Sequence, residues 1–109
     1  LQEHYGHDAL FYNAQHLILA VSDKDFSRGS KNAQFSLTFI SLLAPSLGLG
    51  TCWIGLLEFL ICHEAYCDRF ASLIDIPADK KVCGCMITGY PAVHFRRLVE
   101  RAPLQVEWR

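Results

Sequence analysis

The sequence predicts a single domain of mixed helix and strand, and three observations carry that reading. Two short apolar runs, "QHLILAVS" at 15–22 and "KVCGCMITGYP" at 81–91, have the length and the polar or turn-forming borders of buried strands. Between them, Ala33, Leu37, Ile40, Ala44 and Leu47 recur at alternating spacings of four and three, which places them on one face of a helix. The whole chain has 109 residues, enough for one domain with a modest core and too few for two.

The first strand ends at the polar loop "DKDFSRGSK", and Ser30 is the expected N-cap of the helix that follows. Phe35, Phe39, Leu42 and Leu43 occupy the remaining sides of that helix, with only Gln34, Ser36, Thr38, Ser41 and Ser46 as polar relief. A helix apolar on every side is expected to be buried on every side. Pro45 removes a backbone donor and should kink or tighten the last turn, and Gly48 suits the left-handed residue that closes a helix. After the glycine loop, "LLEFLICHEAYCDRFASLI" reads as one or two short helical pieces stopped at Ile76-Pro77. The second strand ends in a Gly-Tyr-Pro turn, and the tail "FRRLVERAPLQVEWR" is basic and then extended, with Leu104, Val106 and Trp108 alternating.

Composition narrows the function. Ten Lys plus Arg against eleven Asp plus Glu give a formal charge of -1, which removes the long-range pull toward nucleic acid or anionic lipid. Hydrophobic residues make up 51% of the chain, more than a lone small domain comfortably buries, so a partner surface is expected. The opening "LQEHYGHDALFYNAQ" has neither the basic nor the apolar region of a secretory signal and lacks an initiator Met, so the chain is expected to be a piece of something longer. Five cysteines without C-x2-C pairs fit a reducing cytoplasm. The uncharged stretch from Ala33 to Leu57 is long enough to cross a bilayer, but Pro45 and three glycines interrupt it and no Lys/Arg cluster flanks it. Buried helix plus loop accounts for it better than a membrane span.

Candidate chemistry is sparse. His4-x2-His7, Cys62-His63 with Cys67, and Cys83-x-Cys85 are the close groupings, and none has the spacing of a structural zinc site. Cys83 and Cys85, two apart on a strand, are expected to face the same way. There is no G-x-S-x-G elbow and no marked Cys, His and acid set, and Glu58, Glu64 and Asp68 read as solvated helix carboxylates. What remains is the loop "SLGLGTCWIG", whose glycines let backbone run close to a flat ligand, and "RRLVER", whose Arg96, Arg97 and Arg101 match phosphate oxygens.

Three motifs in order, "NAQFSLTFISLLAPSLGLGTCWIG", "LIDIPADKKVCGCMITGYP" and "FRRLVERAPLQVEWR", resemble the C-terminal half of the FMN-dependent nitroreductase family. The likeness runs from about Leu10 to Arg109 and leans toward the branch in which a ferredoxin-type iron–sulfur segment precedes the nitroreductase domain. The resemblance implies an α+β fold, with a long central apolar helix on a small, mainly antiparallel sheet. It implies that Cys52, Trp53, Ile54 and Gly55 lie against one face of the isoalloxazine of FMN, with backbone at Ile54 and Gly55 near flavin N5 and O4. Arg101 and Arg97 match the family's basic positions at the FMN phosphate. The helix 32–47 matches the one that packs against its twin in an intertwined homodimer, and "LQVEW" would add a strand to the partner's sheet. In such enzymes the cofactor performs the hydride chemistry while protein supplies stacking and orientation, so an uncharged wall without a catalytic side chain is what the site requires.

The family's N-terminal half, with its R-x-S-x-R type phosphate clamp and flavin-contacting asparagine loop, has no counterpart in 1–109, and the cysteine spacing is not that of a ferredoxin. The expectation is therefore a partial nitroreductase-like domain with reduced FMN affinity, since each charge-assisted contact is worth roughly 1.5–3 kcal/mol. Three functions follow in rank. The first is a flavin oxidoreductase, whole or in part, passing a hydride from NAD(P)H through FMN to a nitroaromatic, quinone or similar acceptor. The second is a non-catalytic dimerising remnant acting as an interaction module, and the third a thiol or metal site around Cys62, His63 and Cys67.

Overall fold

β1 forms at His16–Asp23, one residue along from the apolar run that predicts it. The computed structural model describes residues 8, 10–62 and 64–109; β1 is followed by α1 (Gly29–Leu43), β2 (Gly50–Trp53), α2 (Gly55–Cys62), α3 (Glu64–Leu73) and β3 (Lys80–Gly89). The three strands make one antiparallel sheet in the order β1-β3-β2, so the two sequence-distant apolar runs lie side by side and the short β2 is added at the edge.

Alternation along the central strand builds a core on both faces. Cys85 and Ile87 of β3 pair with Leu19 and Leu17 of β1 and pack with Ile54, Leu57 and Ile61 from the start and body of α2. On the other face Gly84 pairs with Ala20 and Met86 with Ile18, and α1 lies across them. α1 approaches so closely because Gly84 has no side chain: a Cβ there would stand 2.9 Å from Leu37 Cδ1 and 3.6 Å from the Ala33 Cβ. Gly84→Ala is accordingly expected to cost about 1–3 kcal/mol by overpacking, read from urea midpoints. Combined with Leu37→Ala, the pair should cost less than the sum of the two single changes, because the truncation opens the space the methyl needs.

The cysteine pair departs from the expected arrangement. Register shifts between Ala20, opposite Gly84, and Val21, opposite Val82, leaving Cys83 as the extra residue of a β-bulge. The bulge reverses the alternation, so Cys83 and Cys85 face opposite sides of the sheet rather than the same one. The Cys83 Sγ lies 3.1 Å from Ser22 Oγ, beneath the start of α1, where a Cβ at Gly29 would meet both side chains. The Cys85 Sγ donates to the Ile54 carbonyl at 3.5 Å on the α2 face. At the same end of the sheet Lys80 donates to Asp23 and also faces Asp79, contacts that raise its ammonium pKa above the usual value.

α1 also corrects two expectations. Its N-cap is Arg28, with no capping side-chain bond, so Ser30 lies inside the first turn rather than before it. Burial is one-sided: Gly29, Ala33 and Leu37 are covered by the sheet, while Phe35, Phe39, Leu42 and Leu43 are exposed in this chain. The helical turn tightens to 3₁₀ over Ala44–Leu47 around Pro45, as the proline predicts, and Gly48 closes it at φ 73° with its N–H bonded to the Pro45 carbonyl. Leu47, expected on the buried face, is exposed: the covered stripe ends at Ala44. On the exposed side the hydroxyls of Thr38 and Ser41 turn inward, donating to the Gln34 and Thr38 carbonyls at 2.6 and 2.8 Å.

The segment after the glycines divides into α2 and α3, and α3 ends before Pro77 with Asp75 in the left-handed region and the Ile76 N–H bonded to the Ala71 carbonyl. Beyond Gly89 the chain has no regular secondary structure, and Leu104 and Trp108 are exposed. No helix among the described residues is long and apolar enough to cross a membrane.

Candidate functional site

The glycine-rich stretch, whose composition predicts only loop, holds a strand. Gly50–Trp53 pairs with β3 from Gly50 opposite Gly89 to Trp53 opposite Met86, and α2 starts two residues later. Thr88 Oγ1 reinforces this edge by donating to the Gly50 carbonyl at 3.0 Å. Ile54 is the pivot between strand and helix. Its side chain is buried in the α2-side core, its N–H donates to the Cys85 carbonyl at 3.5 Å, and its carbonyl accepts the first helical bond from the Glu58 N–H at 3.0 Å.

That anchoring determines what the neighbouring residues present. Gly55 is exposed, and a Cβ built on it would find no other atom within 4 Å, so the backbone here is open to a flat surface laid against it. As the first residue of α2 it has an N–H without an intrahelical acceptor, at the end of the helix where the dipole favours electron-rich atoms. Glu58 stands in that same first turn, on the side of the dipole that stabilises a carboxylate. Cys52 and Trp53 are both exposed, but strand alternation sends them to opposite faces, the thiol to the side of its partner Ile87 and the indole to the side of Met86. A ligand lying on β2 therefore touches one of these side chains together with the shared backbone.

A groove of about 190 Å³ runs beside Cys52, lined by Ala14, Gly50, Thr51, Ile87, Thr88 and Tyr90 among others, without a charged side chain. It shares Ala14, Thr88, Gly89 and Tyr90 with a larger cleft of about 800 Å³ at the end of the sheet, bounded by Tyr12, His16, Leu17 and Leu49. The turn that forms the cleft's wall is held by Asp8, whose carboxylate accepts the N–H groups of Leu10 and Phe11 at 3.0 and 2.9 Å and of Asn13 at 3.3 Å. Tyr12 and Asn13 there take left-handed φ values of 51° and 59°. Sequence reading missed these residues, because nothing in the order of the chain says that the turn before β1 meets the end of β3.

Arg97 and Arg101 are not brought to this place within the chain. Both are exposed on the tail, and Arg97 lines a shallow groove with Phe95, Arg96, Leu98, Val99 and Glu100. His4, His7 and His63 lie outside the described residues, so the groupings that include them do too. Among the described residues no three His, Cys, Asp or Glu side chains gather as metal ligands would. The thiols differ sharply in access, and Cys52 is expected to react with a thiol reagent in the native protein while Cys83 and Cys85 react only on unfolding, as peptide mapping of a labelling time course would read.

Comparison with known proteins places this geometry in context. The model of the nitroreductase family matches residues 2–90, a span that includes β2, the start of α2 and the end of β3 but not the tail arginines. A nitroreductase with bound FMN from Bacteroides fragilis NCTC 9343 superposes with a TM-score of 0.70 at 21% identity, covering 96% of this chain and 57% of that one. An FMN-dependent nitroreductase from Clostridium difficile R20291 gives 0.62 at 23% identity, covering 82% and 53%. The chain thus spans little more than half the length of these structures. At such identities the likeness is one of fold. No curated protein matches the chain significantly.

Proposed function

Because residues 2–90 match its model, the chain belongs to the nitroreductase family, and from that premise we propose that it is part of an FMN-dependent oxidoreductase whose ring-binding wall is Cys52, Trp53, Ile54 and Gly55. The observation that carries the reading is the β2–α2 junction: open glycine backbone, a helix-start N–H with no acceptor in its own helix, and an uncharged groove beside Cys52.

The residues present fit one side of a flavin. Ile54, locked into the core, holds the junction still; Gly55 offers its N–H to a ring heteroatom; and the backbone of Cys52 and Trp53 gives the ring a flat support. FMN, when bound, supplies the hydride transfer between NAD(P)H and a nitroaromatic, quinone or similar acceptor. The wall's part is to support and orient the ring, and none of its side chains is assigned a catalytic role. Arg101 and Arg97 hold the phosphate once the tail is seated, their guanidinium forks matching its oxygens.

A homodimer accounts for the rest of the surface. The exposed side of α1 presents Phe35, Phe39, Leu42 and Leu43, and its hydroxyls already satisfied by the helix's own carbonyls leave little to desolvate on packing against a second copy. "LQVEW" adds a strand to the partner's sheet, burying Leu104 and Trp108. We place the protein in the cytoplasm on its cysteine usage.

The test is FMN titration of the purified full-length protein, followed by flavin absorbance and fluorescence. Flavin that stays with the protein through gel filtration, and an affinity reduced about tenfold or more by Gly55→Val, are the expected results; tenfold corresponds to ~1.4 kcal/mol. A colourless dimer that ignores added FMN would overturn the proposal and leave a dimerising module without cofactor.

A further inference from the structure

We draw no further inference here: the strongest candidate, the cleft at the end of the sheet between Tyr12, His16, Leu49 and Tyr90, lies open in a chain little more than half the length of its structural neighbours, and nothing in the structure shows what covers it.

Discussion

Leu37→Ala is expected to destabilise the fold by about 2–5 kcal/mol. Leu37 is 1% exposed and sits directly over Gly84. Its removal opens a void over a glycine, which offers no side chain of its own to fill it. A domain of this size has roughly 5–15 kcal/mol in total, so the loss should appear as a large fall in the urea midpoint with little change in slope. Phe39, on the same helix but 71% exposed, provides the contrast. Phe39→Ala should leave the fold of the single chain nearly unaffected, yet weaken association if the outer face of α1 joins two copies. The cost of Leu37→Ala should be the same at every protein concentration, whereas that of Phe39→Ala should appear at concentrations where the chain dimerises and fade on dilution to single chains. Equal and concentration-independent losses at both positions would refute the division of α1 into a core face and a partner face.

Arg101→Ala should raise the Kd for FMN by roughly 10–150-fold, the equivalent of the 1.5–3 kcal/mol carried by a charge-assisted hydrogen bond. The more telling measurement is riboflavin, which has the same ring and lacks the phosphate. If Arg101 holds the phosphate, its removal should erase most of the preference for FMN and leave riboflavin binding unchanged. Arg101→Lys should fall between, since an ammonium keeps the charge but not the bidentate fork. The same variant series at Arg97 ranks the two tail cations. A loss shared equally by FMN and riboflavin would instead mean that Arg101 supports the fold of the tail, and no loss at all would remove it from the site. Gly55→Val tests the other end of the same ligand, and its effect should fall on both flavins alike.

Much of this organisation was legible in the chain. The strands at 16–23 and 80–89, the helix between them, the tightening at Pro45 and the left-handed closure at Gly48 all follow from rules that act over a few residues. The motifs around Cys52–Gly55 and Gly89–Pro91 also point to the family whose model matches the chain. Other features escaped because they depend on neighbours far away in sequence. β2 reads as loop, since two glycines dominate its approach and its strand state exists only by pairing with β3. The opposed Cys83 and Cys85 escaped because a bulge is a property of two strands in register, not of either one.

By itself, then, the order of residues determined the periodic elements and the backbone freedom at the β2–α2 junction, because backbone sterics and apolar spacing are local. Tertiary structure alone decided which face of α1 is covered, that the thiol of Cys52 and the indole of Trp53 part to opposite sides, and that Tyr12 and Tyr90 border one cleft. Those outcomes come from pairing and packing between distant segments, where a single unpaired residue reverses the direction of every side chain beyond it.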